Sequence, residues 1–341
     1  MVRCVRVERK NAEKTRQKLA KAELFDGSYI PERDEKFVYF ALKDKPPAKL
    51  KLKAIEHPLQ KREEFGKPLR QELIGKLTKK EAEELVASFD MVGDIAVLEI
   101  PPALVRKQAL IAAIIFKNHH NIRVVAKKIG GTRGEFRIRP VRVIAGEKRT
   151  HTVYREGGCE FELDLNKTYF SSRLGTERGR IAALVKKGEH ILIPFAGVGP
   201  FAIRIGKTVP SATVVGIELN PAAAKYFEKN IVRNRCENIS AALGDVAKLL
   251  PGKFKGWADR AAMPLPKDGT GFLPCIIPCL KKGGVLHYYS FGDSRQPYAE
   301  AERQVKDAAA KAGRRAGVLF RRVVRPYSKE TVQVVIDAKI L

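Results

Sequence analysis

The second half of the chain is punctuated by short, uninterrupted apolar runs, the pattern of strands covered on both faces. His190–Phe195 and Ala212–Ile217 are rich in β-branched residues, Ile239–Leu243 is a third run, a fourth ends in the stretch Asp259–Pro266, and Gly284–Tyr289 is a fifth. A helix is predicted to start near Pro200. Two late runs, Gly317–Arg325 and Thr331–Leu341, stand close enough to pair as an antiparallel hairpin. Earlier periodicities are shorter. Residues 1–42 read as a strand at Arg3–Val7, an amphipathic helix at Asn11–Leu24 and a strand at Phe37–Leu42. Lys43–Pro68 shows no sustained period and predicts a linker or an extended surface segment. Helical spacing resumes from Leu69 to Phe89, then come a strand at Ile95–Ile100, a helix at Ala103–Phe116 and mainly strands to about Leu165. The expected division is 1–68, a small N-terminal domain with linker; 69–168, an α+β domain; and 169–341, a doubly wound, Rossmann-like α/β domain.

The first strand of that last domain runs into Ala196-Gly-Val-Gly-Pro-Phe201. Glycines let the backbone approach a ligand, and Pro200 suits a first helical turn, where a missing N–H costs little. Glu218, ending the second strand, is placed to accept hydrogen bonds from two ribose hydroxyls, and Asp245, ending the third, suits an adenine amino group. The turn alone is ambiguous, because Gly197-x-Gly199-x-x-Ala202 with Glu218 twenty-one residues on also meets the dinucleotide pattern. The order of strands favours S-adenosyl-L-methionine: a parallel sheet closed by an antiparallel hairpin is the methyltransferase variant, whereas a dehydrogenase continues with another parallel unit. The expected cofactor-binding set is Arg178, Phe195, Gly197, Gly199, Glu218, Leu219, Asp245, Val246 and Pro264.

Charge adds a partner. The chain carries 65 Lys+Arg against 38 Asp+Glu, a formal +27, which points to a polyanion. Residues 1–68 hold 18 basic and 11 acidic residues, whereas 117–155 hold eleven basic residues against only Glu135 and Glu147. Within the latter stretch Arg137 and Arg139 are expected to alternate in a strand, on one face, where guanidinium groups grip phosphates or stack on bases. Lys127, Lys128, Arg133, Arg139, Arg142 and Arg173 are the expected RNA contacts. No long apolar run or signal pattern is present, so a cytoplasmic protein without a membrane span is expected. The five cysteines and the histidines show no paired ligand spacing, and no metal is assigned. No obligatory protein partner is expected, and the chain is read as a monomer.

The segment Lys167–Arg180 is dense in chemistry: Tyr169, Arg173, Glu177 and Arg178 are all able to face the cofactor, although Glu177 in a first helical turn also fits a surface acid favoured by the helix dipole. With Phe136-Arg-Ile-Arg139, Ala145-Gly-Glu-Lys-Arg-Thr150, Tyr169-Phe-x-x-Arg-Leu-Gly-x-Glu-Arg178, Phe195-Ala-Gly-Val-Gly-Pro-Phe201 and Glu218-Leu-Asn-Pro221 together, the chain resembles archaeal tRNA (guanine-N1)-methyltransferases, which modify guanosine 37. The resemblance spans nearly the whole chain and is weakest before residue 69. It implies an N-terminal domain reaching the tRNA elbow, a middle RNA-binding domain and a C-terminal cofactor domain. It also implies Arg137 as the catalytic arginine, Glu177 as general base and Tyr169 on the substrate side. Two positions depart from the family: Ile193-Pro194 stands where an aspartate often ends the first strand, and Pro264-Leu-Pro266 where Asn-Leu-Pro often follows the fourth. An aminocarboxypropyl transferase of wyosine-type modification, a non-catalytic RNA-binding protein and an NAD-dependent enzyme are the competing readings. The last explains the turn and not the charge; the second explains the charge and not the ordered acids.

Overall fold

The computed structural model describes residues 1–341 except 51, 62–67, 132–133 and 266. Contacts divide the chain into two compact units, residues 1–71 with 117–119, and residues 72–116 with 120–341.

The first unit holds β1 (Val2–Glu8), α1 (Ala12–Lys21), β2 (Glu32–Arg33), β3 (Phe37–Ala41) and β4 (Ala54–His57) in an antiparallel sheet ordered β2-β3-β1-β4. Alternating Val5, Val7, Val38 and Phe40 meet Leu19 of α1 to form its core. The helix ends sooner than its amphipathic pattern suggests, because Glu23 turns into the left-handed region at φ +57°. Residues 43–68, expected as a linker, supply β4, which pairs with Val2–Val5. The open edge of β1 gives that segment backbone partners that its Lys- and Pro-rich composition conceals; residues 51 and 62–67 of it lie outside the described residues.

The helical spacing from Leu69 to Phe89 resolves into two short helices, α2 (Leu69–Glu72) and α3 (Lys79–Glu84). Gly75 at φ +75° breaks the run, and Thr78 restarts it with a capping box to Glu81. Then follow β5 (Phe89–Val92), β6 (Ile95–Leu98), α4 (Gln108–Asn118), β7 (Val124–Lys128) and β8 (Val141–Gly146), with the strands ordered β5-β6-β7-β8. A hairpin of β9 (His151–Glu156) and β10 (Cys159–Asp164) leads to α5 (Gly175–Leu184).

Beyond it come β11 (His190–Pro194), α6 (Pro200–Thr208), β12 (Thr213–Glu218), α7 (Pro221–Arg233), β13 (Ile239–Leu243), α8 (Val246–Leu249), β14 (Ala258–Met263), α9 (Leu273–Ile276), β15 (Leu280–Asp293), α10 (Ala299–Lys311), β16 (Ala316–Pro326) and β17 (Thr331–Ile340). Among the described residues the sheet runs β13-β12-β11-β14-β15-β17-β16, with β11 to β15 parallel and β17 antiparallel to both β15 and β16. This is the doubly wound sheet closed by a hairpin. Ile191, Leu192 and Ile193 are all fully buried, and at about 1.5–3 kcal/mol per such side chain they fix β11 in the interior of the sheet, between β12 and β14. β15 is longer than Gly284–Tyr289 because strands on both sides, β14 and β17, pair with it and draw in its polar ends.

The outer edge of β10 is satisfied by side chains. Asn230 of α7 accepts from the Glu162 N–H at 2.7 Å and donates to its carbonyl at 3.0 Å, and Asn234, one turn on, accepts from Glu160 at 2.9 Å and donates to its carbonyl at 2.6 Å. Asn230 Nδ2 also donates to the Val198 carbonyl at 3.0 Å.

Candidate functional site

β11 stops at Pro194, and the chain then passes through three positive-φ residues, Phe195 (+61°), Gly197 (+58°) and Gly199 (+87°), before Pro200 opens α6. At Gly199 a Cβ would collide with the Phe227 ring of α7, so both conformation and space demand glycine. The Gly197 N–H donates to Glu218 Oε2 at 2.7 Å and the Asn220 N–H to Oε1 at 2.8 Å. The turn is therefore tied to the end of β12 through the carboxylate expected to meet a ribose. Each oxygen accepts from a backbone N–H and keeps lone-pair capacity for a hydroxyl donor. Burial pushes the Glu218 carboxyl up, against the pull of those backbone hydrogen bonds.

The other expected cofactor contacts lie at the same ends of the parallel strands, the edge where open α/β sheets take ligands. Leu219 is half-buried beside Glu218, and Pro264 follows β14. Phe195 packs edge-on against Phe272 with centroids 4.7 Å apart. Asp245 caps α8 by accepting from the Ala247 N–H at 2.9 Å, and Val246 is sunk in the core beneath. The segment holding Tyr169 crosses this edge: Asn220 Nδ2 donates to the Lys167 carbonyl at 2.8 Å, and the Tyr169 carbonyl stands 3.8 Å from where a Gly197 Cβ would lie. The Tyr169 ring is exposed. Arg178, expected at the cofactor, is instead enclosed, donating to both Glu156 oxygens at 2.7 and 2.6 Å and to the Ser171 carbonyl at 3.1 Å.

Glu177 is not the surface acid its helix position allows; it is 2 % exposed. Its Oε2 accepts from the Tyr289 hydroxyl at 3.0 Å and Arg180 Nε at 2.9 Å, and its Oε1 accepts from Arg322 Nη1 at 3.2 Å. The Tyr289 ring in turn meets Phe201, in the first turn of α6 just after the glycine turn. Arg180 donates to Asp337 at 2.6 and 3.2 Å, Asp337 Oδ1 is 2.7 Å from His287 Nδ1, and Arg260 Nη1 is 3.2 Å from His287 Nε2. Arg260 itself pairs with Glu189. Burial holds His287 below its ordinary value despite the neighbouring carboxylate, so the imidazole is neutral. With Arg260 donating to Nε2, the proton sits on Nδ1 and is given to Asp337. Burial opposes ionisation of Asp337 as well, yet the bonds from His287 and Arg180 outweigh it and hold that carboxyl at about 2.

Arg137 and Arg139 do not alternate in a strand. Residues 134–137 form a turn, Arg137 sits in the left-handed region at φ +53°, and β8 begins only at Val141. Gly134 and Pro140 supply the turn chemistry that overrides the apolar-basic alternation. The turn sends the Arg137 guanidinium to Asp268 Oδ2 at 3.0 Å and to the Lys267 carbonyl, just past Pro264 at the end of β14. It thus reaches the strand edge that carries the expected cofactor contacts.

Of the expected RNA contacts, Arg139, Arg142 and Arg173 are exposed, while Lys127 and Lys128 are half-buried. Lys127 donates to Gln108 at 3.1 Å; Asp90 takes Arg173 at 2.6 Å and Lys128 at 3.7 Å. Arg133 lies outside the described residues. The residues that sequence reasoning misses are the partners: Glu156, Arg180, Asp337, Arg322 and the hydroxyl of Tyr289, whose apolar strand reads simply as core. One signal is available. Asp337 is a lone acid in the apolar stretch Thr331–Leu341, and a buried acid requires a partner. Among the described residues no helix is long and apolar enough to cross a membrane.

Residues 152–318 match the TRM5/TYW2 methyltransferase domain, residues 69–150 the TYW2 N-terminal domain and residues 4–50 the tRNA methyltransferase 5 N-terminal domain. A tRNA (guanine(37)-N(1))-methyltransferase, Trm5b, of Pyrococcus abyssi is 35% identical over 341 residues, covering 100% of this chain and 99% of that one. A structure of aTrm5 in complex with tRNALeu superposes with TM-score 0.72 at 29% identity, covering 99% of both chains. Methanocaldococcus jannaschii TYW2 in complex with AdoMet superposes with TM-score 0.57 at 25% identity, covering 74% of this chain and 99% of that one.

Proposed function

The chain belongs to the TRM5/TYW2 methyltransferase family, and from that premise we propose that it transfers a methyl group from S-adenosyl-L-methionine to N1 of guanosine 37 in tRNA, acting as a cytoplasmic monomer. The observation that carries this reading is the convergence on one strand edge of the glycine turn held by Glu218, the Arg137 guanidinium and the segment of Tyr169 and Glu177. The turn, Glu218 and Asp245 hold the nucleoside part of the cofactor. When bound, the cofactor supplies an electrophilic sulfonium methyl.

Guanine N1 carries a proton and is a poor nucleophile, so a base has to remove it. Glu177 takes that role, and Arg137 steadies the negative charge that grows on O6 as the proton leaves. Tyr289, Arg180 and Arg322 all donate to Glu177, so the carboxylate is oriented before substrate arrives. Of these donors Arg322 is the more accessible, its side chain 42% exposed, and guanine approaches Oε1 as Arg322 swings aside. Tyr169, exposed above Gly197, lines the substrate side. Ile193, fully buried, contributes no polar contact, so the cofactor relies on backbone groups and Glu218. Incubation with unmodified tRNA transcripts and labelled cofactor, followed by nucleoside mapping and mass analysis, tests the reading. A one-carbon addition at guanosine 37 supports it. A larger group indicates aminocarboxypropyl transfer, and no incorporation indicates an RNA-binding protein without this chemistry.

A further inference from the structure

A cavity of about 430 Å³ opens beside Tyr169, and its wall includes Lys128, Arg139 and Arg173 together with Arg325 and Tyr327 from the end of β16. The volume falls in the range of small-ligand sites, roughly 300–1,000 Å³. Asp90 is the one acid in the wall and is already paired with Arg173 at 2.6 Å and Lys128 at 3.7 Å. Two cations are left for a ligand. Arg139 makes no ion pair or side-chain hydrogen bond among the described residues. Arg325 is anchored through Nε to the buried Gln333 at 2.7 Å, and its two Nη groups have no partner among the described residues. Tyr327 is 59% exposed, with its ring braced against Phe291 at 4.5 Å. A net positive wall, two guanidinium forks and a braced aromatic ring are the requirements of a single-stranded nucleotide, whose phosphate takes the forks and whose base takes the ring.

We propose that this cavity receives a nucleotide adjoining the methylated one in the RNA, its phosphate on Arg139 and Arg325 and its base against Tyr327. The closing hairpin of the sheet is then an RNA-binding element as well as a structural one. A phosphate-only site would leave Tyr327 unused, and a carboxylate metabolite would leave the excess of cations over acids unexplained. The proposal rests on the reading of the chain as a tRNA methyltransferase.

The test uses the full chain and a tRNA transcript carrying 2-aminopurine on either side of guanosine 37. Binding of the wild-type protein should quench or shift the fluorescence at one of the two positions, and Tyr327→Ala should abolish that change while weakening tRNA binding by roughly five- to a hundredfold. Arg325→Gln should weaken binding and flatten the salt slope by about 0.7. Lys311→Gln, which removes an exposed charge outside the cavity, reports the effect of charge alone. Cofactor affinity measured by calorimetry on each variant verifies the fold. Equal losses in Lys311→Gln and Arg325→Gln, or a fluorescence change that survives Tyr327→Ala, would overturn the proposal. Wild-type protein that methylates no tRNA would overturn the parent reading instead. Methylation by wild type with unaltered binding by both cavity variants would remove the cavity alone.

Discussion

Replacing Asp337 by Asn tests the buried network behind Glu177. The carboxylate accepts two bonds from Arg180 and one from His287. An amide keeps one acceptor and sets an NH₂ group against donors on the other side. Removing one partner of a buried pair costs about 3–5 kcal/mol, and the low end applies because Arg180 retains Glu177 and its contact with the Phe320 ring. The titration of Asp337 gives a second route to the magnitude. Its carboxyl is held at about 2 against an ordinary 3.8, which at about 1.4 kcal/mol per tenfold is worth roughly 2.5 kcal/mol. Because the folded value is depressed, that contribution is whole above 3.8 and is lost as pH falls toward 2. The gap between wild type and variant should therefore stay constant from pH 8 to about pH 6.5, above the range in which His287, a partner of Asp337, titrates. Urea unfolding followed through Trp257, the single tryptophan, reports on this domain, since the ring stacks on His190 at the start of β11. With a slope near 2 kcal/mol/M the midpoint should fall by on the order of 1 M. A midpoint within about 0.3 M of wild type at pH 7 would refute the reasoning.

Glu218→Ala should weaken adenosylmethionine binding by roughly 1–3 kcal/mol in calorimetry, and an unchanged dissociation constant would place the ribose elsewhere. Glu177→Gln and Arg137→Ala should each slow single-turnover methylation by roughly a hundredfold or more with both substrates bound, whereas a fully active Glu177→Gln enzyme removes this carboxylate from the chemistry. His287 is held neutral by burial, so its folded value lies below the unfolded one and its contribution is full above about pH 6.5 and lost as pH falls. Wild-type stability should fall as pH drops below about 6.5, and His287→Gln should flatten that fall; an identical profile in the variant counts against a neutral imidazole. Neutralising Lys127, Lys128 and Arg142 should flatten the salt dependence of tRNA binding by roughly 0.7 to 0.9 for each phosphate no longer engaged, and filter binding across KCl concentrations that gave an unaltered slope would reassign the RNA-facing surface.

The parallel strands and the glycine turn are legible because each is a local pattern: β-branched runs for β11 and β12, and glycines where the chain needs positive φ. Other features depend on distant partners. The strand in residues 54–57 exists because β1 offers it an edge, and nothing in its own Ala-Ile-Glu-His spells that out. Arg137 is misplaced by sequence because Arg-Ile-Arg mimics strand alternation, whereas Gly134 and Pro140 decide the backbone. Glu177 is found through its motif, but its surroundings are not readable: Tyr289, Arg322 and Asp337 come from three strands at the far end of the chain and meet the helix of Glu177 only after the sheet is assembled. Arg178 shows the converse. Its motif neighbours suggest a ligand contact, and a carboxylate on β9 claims it.

The two asparagines of α7 that hydrogen-bond the rim of β10 do more than satisfy donors and acceptors. A carboxamide displays the same N–H and C=O as a peptide group, so the helix presents to the hairpin an imitation of a neighbouring strand. A foreign chain seeking to add itself to that rim finds the positions taken, which shields the hairpin from edge-to-edge association. The Asn230 side chain also reaches past the hairpin. Its Nδ2 donates to both the Glu162 and the Val198 carbonyls, so a single amide group joins the rim of the hairpin to the middle of the glycine turn.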